Sequence, residues 1–205
     1  MKKLSLVIIL IITGFSTAAT AQDKGYQVGS KVEDFSLKNI DNKNVSLRDY
    51  SDAKGFIVVF TCNTCPYAKA YEQRVSELDS RYAKKGYPVI AINPNDALVS
   101  PGDSFSEMQK RAAEKKYSFP YLLDKDQTIA RKFGAVRTPH VYILSKASSG
   151  YKVEYIGAID DDTENTNSDK KKYAENAVDA LLESNAPSVT ATKAVGCTIK
   201  WKKAI

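Results

Sequence analysis

Two cysteines three residues apart, Cys62 and Cys65, stand at a junction in the sequence. Before them runs Phe56-Ile57-Val58-Val59-Phe60, an unbroken apolar stretch of β-branched and aromatic residues, the pattern of a strand buried on both faces. After them Tyr67, Tyr71, Val75, Leu78 and Tyr82 recur at spacings of four, four, three and four, one face of an α-helix. The pair is therefore expected between the end of a strand and the first turn of a helix. There the leading backbone N–H groups are unpaired and partly positive, so they favour a thiolate over a thiol. Spacing i, i+3 puts both sulfurs on one helix face, within bonding reach. This predicts Cys62 as the more exposed, attacking nucleophile and Cys65 as the buried resolving thiol. Pro66 suits the first helical turn, where a missing N–H costs nothing. Asn63 and Thr64 are neutral and add no charge to the helix effect. The implied chemistry is thiol–disulfide exchange. Cys62 attacks a partner's disulfide, and Cys65 then releases the reduced partner and leaves an oxidised pair. The alternatives for such a pair are a structural disulfide or half of a zinc site. Zinc takes four ligands, and three cysteines with one histidine supply them poorly, so no metal is expected.

The elements that position the pair can be read outward from it. Gly86 stops the helix, and Pro88 to Ile92 forms a second buried strand, giving a βαβ unit with parallel strands and a right-handed crossover. Upstream, Phe35–Leu37 and Val45–Leu47 alternate apolar and polar around the turn residues 41–44, an opening hairpin. A second helix fits Phe105 to Lys116, with Ser104 and Glu107 as a capping box. A short helix fits Asp126 to Phe133, closed by Gly134. Pro139 leads into the strand His140–Leu144, and Tyr151–Ile156 returns antiparallel after a turn at 148–150. Residues 160–172 read as a polar loop, and Tyr173 to Leu182 as a last helix. The order β-α-β, helices, β-β-α implies a mixed central sheet with helices on both faces.

The loop holding Thr138-Pro139 should approach the cysteine-bearing helix. A cis Pro139 there would hold the Thr138 backbone where an extended substrate peptide can pair with it. Both residues are therefore expected to bind substrate. His140, the single histidine, is expected either to modulate the thiols, as Asn63, Thr64 and Pro66 do, or to lie at a strand edge. With Cys62 and Cys65 it could also bind copper(I), an ion suited to soft thiolates. Cys197 could resolve Cys62 intermediates, pair with another chain, or be a small buried apolar residue. Arg137 could orient an anionic substrate or be solvated.

The first residues read as a secretory signal. Lys2 and Lys3 precede an apolar stretch from Leu4 to Ile12, and Ala19-Thr20-Ala21 forms a cleavage site, so processing is expected near Ala21/Gln22. The apolar stretch is short for a membrane anchor. Residues 22–185 then make one domain and 186–205 a C-terminal tail packed on or near it. A periplasmic or secreted location makes disulfide chemistry possible. The mature chain is expected to be a monomer without stable membrane insertion. Net charge is +6, two of it on Lys2 and Lys3, and acids and lysines are mixed. No basic block interleaved with aromatics supports nucleic-acid binding.

The chain resembles the thioredoxin superfamily, between the peroxiredoxin-like AhpC/TSA redoxins and the TlpA/ResA-like thiol–disulfide oxidoreductases. The resemblance rests on Val28–Leu37, on the strand followed by CxxCP at 56–66, on Thr138-Pro139, and on the closing Gly196-Cys197-Thr198-Ile199-Lys200-Trp201. It implies an α/β fold, a thioredoxin-like α/β/α sandwich with a mixed central sheet and an N-terminal β-hairpin. It also implies protein thiols and disulfides as partners, an upstream redox partner, and no cofactor. A peroxiredoxin-like thiol peroxidase and a copper(I) chaperone are the rival functions. Peroxiredoxins carry P-x-x-x-T-x-x-C, whereas aligning Cys65 with their reactive cysteine puts Val58 and Cys62 at the Pro and Thr positions. The tryptophan usual before the first cysteine is replaced by Thr61. Such folds often place a buried acid near the resolving cysteine, and Asp34 and Glu72 are candidates by position alone.

Overall fold

The apolar run around Val58 lies at the centre of the sheet, because neither of its faces tolerates water. The computed structural model describes residues 25–203; the expected signal peptide lies outside them. In chain order the elements are β1 (Lys31–Val32), β2 (Ser36–Asn39), β3 (Asn44–Ser46), β4 (Gly55–Phe60), α1 (Pro66–Tyr82), β5 (Val89–Asn93) and α2 (Phe105–Lys115). Then come β6 (Tyr121–Leu123), α3 (Thr128–Phe133), β7 (Arg137–Thr138), β8 (His140–Lys146), β9 (Tyr151–Gly157), α4 (Tyr173–Leu182) and β10 (Cys197–Thr198). Eight strands form one mixed sheet in the order β1-β9-β8-β4-β5-β6-β2-β3, and β10 pairs with β7 apart from it. β4 runs parallel to β5, with Val58 opposite Ile90, and antiparallel to β8, with Phe60 opposite His140.

Alternation along β4 divides the core into two layers. Ile57 and Val59 pack with Tyr71, Val75, Leu78 and Tyr82 of α1, Met108 of α2, and Val178 of α4. Phe56, Val58 and Phe60 face the other way, onto Ile129, Ala130 and Phe133 of α3 and Ile199 of the tail. Each fully buried large side chain contributes about 1.5–3 kcal/mol, so α1 is held onto the sheet chiefly by its apolar stripe. Tyr67, in the first turn, leaves that stripe and is 40% exposed.

Three local expectations change. β6 was not anticipated; its three residues add to β5 in parallel and join the opening hairpin to the sheet. Ser104 caps α2 by position only, since its hydroxyl meets Ser106 Oγ at 3.3 Å and Glu107 pairs with Lys110 instead. The third helix begins at Thr128 rather than Asp126. Gln127 is left-handed at φ 59°, and its buried amide donates to the carbonyls of Pro94 (2.7 Å) and Lys200 (2.9 Å). Those bonds hold the residue outside the helix.

The C-terminal segment is tied along the molecule. Lys200 N–H donates to Asn95 Oδ1 at 2.9 Å, Asp96 N–H donates to the Lys200 carbonyl at 2.9 Å, and Ile199 is buried. Trp201 lies under the Arg131 guanidinium, 4.4 Å from ring centre.

Candidate active site

Cys65 is the N-cap of α1 and Pro66 its first residue. The sulfurs gather against β7. Cys62 Sγ lies 3.2 Å from the Thr138 hydroxyl, the Cys65 thiol donates to the Thr138 carbonyl at 3.1 Å, and Cys197 N–H donates to Cys65 Sγ at 3.4 Å. The Thr138–Pro139 peptide bond is cis. Cys62 and Cys65 are 4% and 3% exposed, so exposure does not separate an outer from an inner cysteine. All three cysteines are free thiols, and Cys197 packs on the other two.

The electrostatics favour Cys65 over Cys62 as the thiolate in this conformation, opposite to the expectation from helix position. The Cys62 thiol hydrogen-bonds to Cys65 and stabilises its negative form, and the N–H groups of Cys197 and Ala68 add to this; burial works against it. Cys62 is pushed up by the same bond, then by burial and the nearby Asp103 charge, with the Thr138 hydroxyl pulling the other way. The interaction between the two sulfurs is the larger cause; the Ala68 N–H of the first turn adds to it at Cys65, while Cys62 sits toward the Asp103 carboxylate.

Asp103 is a site residue that sequence reasoning missed. It is fully buried and accepts from Asn63 N–H (2.7 Å), Thr64 N–H (3.2 Å), Thr64 Oγ1 (2.7 Å), Asn95 Nδ2 (2.8 Å) and Ser100 Oγ (2.7 Å). Asn63 also donates to the Gly102 carbonyl at 2.9 Å and accepts from Tyr121 Oη at 3.0 Å. The two neutral residues between the cysteines thus lock their loop onto one carboxylate. The only signal was an acid in the turn Ser100-Pro101-Gly102-Asp103, and an acid before a helix ordinarily reads as a cap. Asp34 instead accepts from Leu47 N–H and pairs with Arg48, while Glu72 binds Arg111 and Tyr117. Neither has a sulfur among these partners.

His140 is buried on the Phe60 side of the sheet. Its ring centre is 4.8 Å from that of Tyr142, and Nδ1 lies 3.5 Å from Tyr142 Oη. Burial alone holds it down to about 4, so it is neutral at neutral pH. Its hydrogen-bond partner is Tyr142 rather than a sulfur. Arg137 donates to the Gly196 carbonyl at 2.8 Å and so anchors the tail. β10 takes the backbone edge that an extended substrate peptide was expected to use, with Cys197 opposite Thr138. The approach is close. A Cβ on Gly196 would stand 2.2 Å from the Thr138 oxygen. Among the described residues no group of three or more His, Cys, Asp or Glu is arranged to hold a metal ion.

A strand, a cysteine pair at a helix cap and a threonine–proline turn beside it, on a mixed sheet with helices on both faces, define a thioredoxin-like fold. The chain belongs to the AhpC/TSA family, whose model matches residues 28–172. It is similar to the thioredoxin-like protein YneN of Bacillus subtilis (strain 168), 30% identical over 145 residues, 69% of this chain and 80% of that protein. It is also similar to the thiol-disulfide oxidoreductase ResA of Geobacillus thermodenitrificans (strain NG80-2), 23% identical over 155 residues, 75% of this chain and 84% of that protein. The crystal structure of an uncharacterized conserved protein from Geobacillus kaustophilus superposes with a TM-score of 0.80 at 34% identity, covering 87% of this chain and 94% of that one. By family and fold the chain falls among the thioredoxin-like thiol–disulfide oxidoreductases.

Proposed function

We propose that this is an exported thiol–disulfide oxidoreductase that exchanges disulfides with partner proteins through Cys62 and Cys65. The observation that carries the reading is the cysteine pair packed together at the cap of α1, both sulfurs against Thr138. In the reduced pair the electrostatics favour ionisation of Cys65 over Cys62. When a partner's disulfide reaches the loop, the proton of Cys62 passes to Cys65, and the Cys62 thiolate attacks one partner sulfur while the other leaves as a thiolate. Cys65 then gives up its proton to that thiolate and attacks Cys62 Sγ. The mixed disulfide breaks, the partner departs with one thiol and one thiolate, which takes its proton from solvent, and the Cys62–Cys65 disulfide holds the oxidising equivalents. An upstream dithiol returns the pair to its reduced form by the same steps in reverse. β10 stands where a partner's extended segment would add to Thr138. It pairs over two residues only, and a partner segment exchanges for it there.

The test is a titration of the whole mature protein in glutathione buffers, read by thiol alkylation and peptide mass mapping. The reading requires Cys62 and Cys65 to interconvert as one two-electron pair. If no 62–65 disulfide forms, or one forms only after peroxide has converted a single cysteine to sulfenic acid, a thiol peroxidase replaces it.

A further inference from the structure

The third cysteine is not a bystander by position. β10 is fixed by its ladder to β7, by Arg137 on the Gly196 carbonyl, by the burial of Ile199 and by the Lys200 bonds to the 95–96 loop. Those contacts deliver Cys197 onto Cys65: its backbone N–H donates to Cys65 Sγ at 3.4 Å, and its side chain packs on the cluster of Cys62, Cys65 and Ala68. Cys197 is also half-buried where Cys62 and Cys65 are covered.

We propose that Cys197 is a third redox cysteine, a resolving thiol that moves the disulfide from Cys62–Cys65 to Cys65–Cys197 and presents it to protein dithiols at the surface. The inference rests on the exchange reading given above. The transfer conserves oxidation state. The Cys197 thiolate attacks Cys65 Sγ, the 62–65 S–S bond breaks as the 65–197 bond forms, and Cys62 leaves as a thiolate that takes up the proton Cys197 released. A dithiol partner then attacks Cys197, the accessible sulfur, and Cys65 leaves. The partner's second thiolate displaces Cys197. The partner ends oxidised by two electrons and the protein reduced by two. Cys65 suits the leaving role because its surroundings stabilise the thiolate, and a more acidic thiol departs faster. Burial and then the neighbouring Cys65 push the Cys197 thiol up to about 11. The second of these contributions lapses when Cys65 is held in a disulfide, the state in which Cys197 must attack.

The test uses the whole chain, oxidised in glutathione buffer, alkylated and digested with trypsin without reduction. Trypsin parts residues 55–69, with Cys62 and Cys65, from residues 194–200, with Cys197. Cys62→Ser is expected to yield the two peptides joined as the main oxidised species, and the unaltered chain a mixture of joined peptides and the internally bridged 55–69 peptide. Cys62→Ala serves the same purpose if serine is not tolerated. Glutathione on Cys65 with no joined peptide in the variant, while the unaltered chain forms its 62–65 bridge, overturns the role of Cys197 and leaves the exchange function standing. Loss of the 62–65 bridge in the unaltered chain overturns the exchange function itself.

Discussion

Two carboxylates are buried beside helix α1 and are held in opposite ways. Asp160 meets a matched cation. Arg74 reaches its two oxygens at 2.8 and 2.6 Å, stacks on the Tyr71 ring at 3.8 Å, and donates onward to the carbonyls of Asp162 and Thr163. Asp103, near the start of the same helix, is bound by backbone N–H groups, hydroxyls and an amide, all neutral. A buried charge with a counter-ion cancels at a distance and fastens one segment to another. A buried charge satisfied by dipoles keeps its field, and here that field reaches Cys62 and resists its ionisation. One centre therefore serves stability, and the other also tunes the sulfurs.

The contrast is tested most severely at Arg74. Arg74→Ala leaves the buried Asp160 with only the Lys170 ammonium, 4.0 Å away, and is expected to cost about 3–5 kcal/mol, read as a fall in the urea midpoint. A loss below about 1 kcal/mol, the size of an exposed pair, would erase the distinction between the centres. His140 comes next, as a buried ionisable group without any counter-ion. Its affinity for a proton is low in the folded protein, about 4, and ordinary near 6.5 in the unfolded chain. The unfolded state thus binds the extra proton first as pH falls, and stability is lost between about 6.5 and 4, by about 3 kcal/mol at the low end. Subtracting the pH–stability curve of His140→Gln isolates this slope from the carboxylates. Matching curves would mean that the imidazole is not shielded. The smallest effect on stability belongs to Asp103→Asn, about 1–3 kcal/mol for donors left poorly matched. It should nonetheless move the pH profile of Cys62 alkylation to lower pH, because the charge opposing the thiolate is gone. An unmoved profile would make Asp103 a purely structural residue like Asp160.

Much of the scaffold was legible because its signals are local. The run at 56–60 and the stripe from Tyr71 to Tyr82 each announce an element within one window, and the cysteines between them needed no other information. The rest depends on partners far along the chain. Asp103 lies 39 and 40 residues from the backbone groups it binds, so nothing near it distinguishes it from any acid in a turn. β6 is three residues long and β10 two, too short for periodicity, and each exists through the strand it joins. The charge distribution between the sulfurs also escaped the sequence. Position on a helix pointed to Cys62, while the contact between the two sulfurs and a remote carboxylate favour ionisation of Cys65 in this conformation.

Trp201 is the single tryptophan of the chain, and it lies against Arg131, a few residues beyond the cysteine the tail carries. The molecule thereby contains its own optical label. A spectrum excited at the indole band follows the seating of the last strand with no dye attached, in the unaltered protein and during turnover.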